Sequence, residues 1–122
     1  MIGIDIVAIS RIEKNLKRYG EDFLNKFLNQ EEILLVNNSS GYKVSTIAGF
    51  WAAKEACSKA LGVGICEDLR FFDIKLSKSK KNAPLIILSE KKMKFFNIDA
   101  ISVSISHDGG FAIAAVMAKF KN

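Results

Sequence analysis

One proline, one histidine and two cysteines are all that this 122-residue chain contains of those residues. A single proline and no low-complexity tract argue against a long linker or a disordered tail, and no internal repeat is visible. Cys57 and Cys66 are too few for a disulfide framework. Without a Cys-x-x-Cys pair, and with His107 as the lone imidazole, they do not make a structural zinc site either; Cys57, inside a helical apolar pattern, reads as a small core residue. Long hydrophobic runs are missing too: Phe111 to Ala118 is far short of the ~20 residues a membrane helix needs. Met1 leads into apolar alternation without a basic n-region or cleavage site, so no secretory signal is expected and the expected location is cytoplasmic. No P-loop, GxGxxG fingerprint or Gly-x-Ser-x-Gly elbow occurs, which removes the usual nucleotide-binding and serine-hydrolase readings.

What remains has the balance of a globular protein, 49% hydrophobic and 25% charged, and a length suited to a single domain over residues 1–122. With 18 basic against 13 acidic residues the net charge is +5. That favours an anionic partner: nucleic acid, a phosphorylated small molecule or an acidic protein.

Ile2 to Ile9 reads as a strand interrupted by Asp5. Ser10 and Glu13 have capping-box spacing, predicting a helix that ends at Gly20, with Ile12, Leu16 and Tyr19 on one face and Arg11, Lys14 and Arg18 on another. A second helical stretch carries Phe23, Phe27 and Ile33 to Val36, and Asn37 to Tyr42 reads as a surface loop. Ser45 is the expected N-cap of the main helix, rich in alanine and running to about Leu61, with Gly62-Val63-Gly64 ending it. Phe71 to Ser77 and Leu85 to Ser89 are expected strands joined by a basic loop, Lys78 to Asn82, and Glu90 to Phe96 a short helix. Ile101, Val103 and Ile105 alternate with Ser102, Ser104 and Ser106, the period-2 mark of a half-buried strand. Asp108-Gly109-Gly110 turns it into Phe111 to Ala118 as a hairpin. The class is α+β with antiparallel pairing.

Asp5 is costly within Gly3-Ile4-Asp5-Ile6-Val7 unless it is paired, hydrogen-bonded, bound to a metal, or turned to solvent from an edge strand. Glu55, Ser58 and Lys59 share one side of the alanine-rich helix at i, i+3 and i+4. An acid, a hydroxyl and a base so aligned suit a metal-phosphate group, although an ordinary surface ion pair has the same spacing. His107 stands where a strand enters a tight turn, a place where functional and merely solvated residues both occur.

Three segments together resemble one family: Ile2-Gly3-Ile4-Asp5-Ile6-Val7, then Trp51-Ala-Ala-Lys-Glu-Ala with Lys59-Ala-Leu-Gly-Val-Gly64, then Val103-Ser-Ile-Ser-His107-Asp. In order, spacing and total length they resemble the holo-acyl-carrier-protein synthases, the small trimeric 4′-phosphopantetheinyl transferases. The resemblance implies that family's fold, an antiparallel sheet with one long helix packed against it plus shorter helices. It implies transfer of the phosphopantetheine arm of coenzyme A to a serine of apo-acyl carrier protein, with magnesium as cofactor and release of adenosine 3′,5′-bisphosphate, in fatty acid biosynthesis. Asp5 and Glu55 match the family's metal carboxylates, Lys59 the lysine on coenzyme A phosphate, and His107 the histidine at the pyrophosphate end. Asp5, Glu55 and Lys59 are the implied catalytic set. Lys54, Ser58, Gly62, Gly64, Asn82 and Pro84 complete the implied cofactor-binding set with Lys59 and His107.

Arg11 and Arg18 match arginines that dock the acidic carrier, and the helical face argument adds Lys14 and Lys17. Family members are homotrimers with the coenzyme A cleft between protomers; an exposed alanine-rich helix and an apolar hairpin would suit that packing. Two departures stand out. Phe50 occupies a position often held by arginine. The family's N-G-x-P turn appears as Asn82-Ala83-Pro84, with Asn82 in the glycine's place and able to adopt a left-handed conformation. Lys80 and Lys81 lie beside it, within reach of a 3′-phosphate. Neither a membrane nor nucleic acid is an expected partner. The competing readings are a non-catalytic carrier-binding homologue and a basic nucleic-acid-binding module; the latter lacks a helix-turn-helix, a zinc finger and interleaved surface aromatics.

Overall fold

The computed structural model describes residues 1–122. Its centre is a three-stranded antiparallel sheet in the order β1-β7-β6, formed by β1 (Ile2–Ala8), β6 (Ile98–Asp108) and β7 (Phe111–Phe120). The hairpin expected at Asp108 to Gly110 is there, with Gly109 and Gly110 at positive φ. Opposed residues share a sheet face, so register sorts the side chains. Gly3, Asp5 and Val7 lie opposite Val116, Ala114 and Ala112 on the inner face; Ile2, Ile4 and Ile6 lie opposite Met117, Ala115 and Ile113 on the outer face.

Against the inner face packs the long helix α4 (Val44–Ala60). Its small residues Ala52, Ala53, Ala56 and Ala60 are fully buried. This corrects the expected exposed alanine-rich helix: small side chains bring α4 close to other elements of its own chain. The exposed apolar surface belongs to the outer sheet face, where Ile2, Ile4, Ile6 and Met117 are 56–63% exposed.

Around this centre lie α1 (Ile9–Tyr19), α2 (Glu21–Asn25), α3 (Gln30–Leu35), a minimal ladder of β2 (Asn37–Asn38) with β3 (Gly41–Tyr42), the hairpin of β4 (Lys75–Lys78) with β5 (Pro84–Ile87), and α5 (Glu90–Phe95). Several boundaries differ from the sequence reading. The α1 helix starts at Ile9 with no side-chain cap, and the Gly110 carbonyl accepts the Ile9 N–H at 2.9 Å; Ser10 therefore lies inside the first turn and not at the cap. The capping box is at Asn29 and Glu32, which exchange 2.8 Å bonds and split the second helical stretch into α2 and α3. Val44 rather than Ser45 begins α4. Phe71–Asp73 is a 3₁₀ turn, not a strand, because the Asp73 carboxylate accepts the Arg70 N–H and curls the chain.

Candidate active site

Only Trp51, Glu55 and Lys59 of α4 from Ile47 onward keep exposed surface, a single stripe at i, i+4 and i+8. Strand β1 crosses beside it. A Cβ added at Gly3 would stand 2.0 Å from the Ala56 carbonyl oxygen and 2.4 Å from the Ala60 nitrogen, so strand backbone rests directly on helix backbone. That approach brings Asp5, on the same inner face two residues along, to the stripe. Lys59 Nζ donates to Asp5 Oδ1 at 3.0 Å and to the Ile4 carbonyl at 3.1 Å. Asp5 keeps 16% of its side chain exposed, so an edge-strand carboxylate faces the helix rather than open solvent.

Glu55 is half-buried beside this pair. Burial pushes its carboxyl above the usual range, and the Asp5 charge pushes the same way; Lys59 and Arg11 pull it back. Two carboxylates from distant segments therefore converge at one spot flanked by two cations. No third carboxylate, histidine or cysteine joins them in a cluster.

Lys54 departs from its expected place on the cofactor. It is fully buried, and its ammonium donates to the Phe27 carbonyl (2.7 Å), Glu32 Oε1 (2.9 Å) and the Phe71 carbonyl (3.1 Å). All three donors are used inside the core. Burial pulls the Lys54 ammonium below its usual range, and the Glu32 carboxylate works against that. Ser58 departs as well: it is fully buried, and its hydroxyl donates to the Glu55 carbonyl at 2.6 Å. Gly62 (φ 78°) and Gly64 (φ 70°) end α4 as expected, with the Val63 and Gly64 N–H groups on the Ser58 carbonyl, three to five residues beyond Lys59.

The structure gathers the remaining expected residues at the other end of α4. Asn82, Pro84 and His107 line a pocket of about 160 Å³ with Thr46, Gly49, Phe50, Lys78 and Ile105. Asn82 has φ 66°, as the turn requires, and the loop closes through Ser79 N–H to the Ala83 carbonyl at 2.8 Å. Lys80 and Lys81 are exposed on that loop. Phe50 is buried at the pocket wall, a ring where an arginine would bring charge. Asp5, Glu55 and Lys59 are not among the residues lining this pocket.

Arg11, Lys14, Lys17 and Arg18 are exposed along α1. Arg11 is also part of the stripe, its guanidinium 5.8 Å from the Trp51 ring centroid. Trp51 in turn contacts Phe27 and Phe71, with centroids 5.0 and 5.3 Å apart.

Sequence reasoning missed Gly3, Gly49, Glu32, Thr46 and Lys78. A glycine inside an apolar strand signals close backbone approach, so Gly3 had a readable cue. Glu32 had the Asn29-x-x-Glu32 spacing. For Gly49 no local signal exists, since its importance arises from the Ile105 and His107 side chains that β6 lays against it, and Thr46 is marked only by lining the pocket.

The chain matches the family model of the 4′-phosphopantetheinyl transferase superfamily over residues 1–116. A holo-[acyl-carrier-protein] synthase of Helicobacter pylori is 60% identical over 122 residues, covering 100% of this chain and 99% of that protein. One from Campylobacter jejuni is 59% identical over 115 residues, 94% of this chain and 96% of that protein. Among solved structures, the H. pylori synthase in complex with coenzyme A superposes with a TM-score of 0.90 at 60% identity, covering 98% and 100% of the two chains. The synthase of Neisseria meningitidis gives 0.86 at 32% identity, covering 97% and 96%. The family is thus shown by sequence over the whole chain and by fold at two levels of identity, and this chain belongs to the holo-[acyl-carrier-protein] synthases of the 4′-phosphopantetheinyl transferase superfamily.

Proposed function

We propose that this chain, as a single domain over 1–122, moves the 4′-phosphopantetheine group of coenzyme A onto a serine hydroxyl of apo-acyl carrier protein, with magnesium, and releases adenosine 3′,5′-bisphosphate. The carrying observation is the meeting of Asp5 and Glu55 beside Lys59 on the one exposed stripe of α4. Hard oxygen donors fit magnesium, which binds through one or two carboxylates and completes its shell with water and substrate phosphate. Mutual repulsion of the two carboxylates, and the raised Glu55, are what a bound cation would relieve. When bound, magnesium would neutralise charge developing on the pyrophosphate. Lys59, already held at the site by the Ile4 carbonyl, supplies a fixed positive charge for the same anion. The related H. pylori structure holds coenzyme A, and a Bacillus anthracis relative at 33% identity is described in complex with CoA (3′,5′-ADP).

The exposed cations of α1 suit an acidic carrier, whose approach they would speed. The exposed isoleucines of the outer sheet face, Ile2, Ile4 and Ile6 with Ile113 and Met117, suit burial between copies in a homotrimer with sites between protomers. No helix is long and apolar enough to cross a membrane; a cytoplasmic enzyme of fatty acid biosynthesis is the setting that fits. Mass spectrometry of apo-carrier protein incubated with coenzyme A and magnesium tests the reading. The expected result is one phosphopantetheine added per carrier; normal carrier binding with no adduct under any divalent metal would replace it with a non-catalytic carrier-binding role.

A further inference from the structure

His107 ends the inner-face row of β6, and its ring lies over the first turns of α4. Its Nε2 is 2.8 Å from the Ser45 carbonyl oxygen. A carbonyl oxygen only accepts, so this bond requires the proton on Nε2. Gly49 lies directly beneath: a Cβ there would be 3.1 Å from His107 Nε2 and 2.9 Å from Ile105 Cγ2. A side chain at 49 would force Ile105 aside and crowd the His107 ring by a few tenths of an ångström, straining its bond to the Ser45 carbonyl. Nδ1 makes no hydrogen bond to the protein, and His107 is exposed where it lines the pocket.

We propose that the Ser45 carbonyl and the bare backbone of Gly49 lock His107 as the Nε2–H tautomer, leaving Nδ1 as the one ring atom offered to coenzyme A. Nδ1 is a bare lone pair in that tautomer, so it accepts from an N–H or O–H of the cofactor rather than meeting its phosphates. Gly49 is then a positioning residue for His107. The cofactor half of this assignment rests on the transferase reading; the tautomer half does not. The Ile105 and His107 contacts together account for glycine at 49 in a helix surrounded by core, where alanine has the better helix propensity.

Nitrogen-15 NMR of the ligand-free protein reads the tautomer directly, and calorimetry with coenzyme A reads the contact. The expected tautomer is Nε2–H in the wild type, with a mixture in Gly49→Ala and affinity for coenzyme A about tenfold weaker, the worth of one hydrogen bond. Should Gly49→Ala fold poorly, two variants outside the helix keep the question sharp. Asparagine places its terminal atoms near Nδ1, and glutamine reaches the Nε2 position. His107→Asn should bind coenzyme A within about threefold of wild type and His107→Gln about tenfold more weakly. An Nδ1–H tautomer in the free protein would overturn the lock, and the reverse order of the two variants would overturn the role of Nδ1. Wild-type protein that fails to bind coenzyme A at all would overturn the transferase reading and the cofactor half with it, while the tautomer is still judged by NMR alone.

Discussion

Replacing Lys54 with methionine should cost far more than a change of one surface-type residue suggests. Methionine matches the length of the stem but removes the ammonium that joins the Phe27 and Phe71 carbonyls to Glu32. Glu32 would remain buried with only the Asn29 and Leu76 N–H groups, both at 2.8 Å, to hold its charge. Breaking a buried pair by deleting one partner costs about 3–5 kcal/mol, against a total stability of about 5–15 kcal/mol for a domain. At roughly 3–5 °C per kcal/mol for a chain of this length, Tm should fall by about 10–25 °C. Adding Glu32→Gln removes the stranded charge but turns its NH2 toward one of the two N–H groups that the carboxylate oxygens accept from, so the double variant should regain no more than about 1 kcal/mol over Lys54→Met. Differential scanning calorimetry with urea titration measures both. A loss below about 1 kcal/mol for Lys54→Met would refute the claim that this ammonium ties the core together. The pH dependence has a definite sign. Burial lowers the folded-state lysine below its ordinary 10.5, so just below 10.5 the unfolded chain holds more protons and this group makes stability rise with pH. Lys54→Met should lack that rise.

Asp5→Ala and Glu55→Ala should each abolish metal-dependent transfer while leaving Tm within a few degrees, and His107→Ala should cost less; near-normal rates in either carboxylate variant would remove the metal site. Burial pushes the Cys57 thiol up to about 12, whereas Cys66 is exposed, so a thiol reagent at pH 8 should modify Cys66 alone until denaturant releases Cys57. Ile4→Lys, on the outer sheet face, should convert the proposed trimer to monomers by light scattering and abolish activity if the sites lie between protomers.

Much of this fold could be read from alternation and turn chemistry. The β6–β7 hairpin carries both, so Ile101, Val103 and Ile105 fall inward as their period requires. Helix starts were less legible, because the signal that matters is not always local: Ser10 has the right spacing, yet the Gly110 carbonyl, some hundred residues away, already takes the first N–H. At the site, spacing placed Glu55 beside Lys59, but only strand register shows that Asp5 turns toward them. Lys54 shows the opposite failure. It neighbours Glu55 in a motif, but adjacent helical residues point about 100° apart, and that rotation carries it from the stripe into the core.

The contact of Gly3 with Ala56 and Ala60 has a consequence for how this site can drift over time. Where two elements are spaced by interlocking side chains, each core substitution resets their separation slightly. Here main chain meets main chain, and there is no side chain between them to vary. The spacing of Asp5 from Glu55 is therefore insulated from changes elsewhere in the core. Neutral repacking around α4 can accumulate without detuning the carboxylates, while a single methyl group at residue 3 has no neutral path open to it.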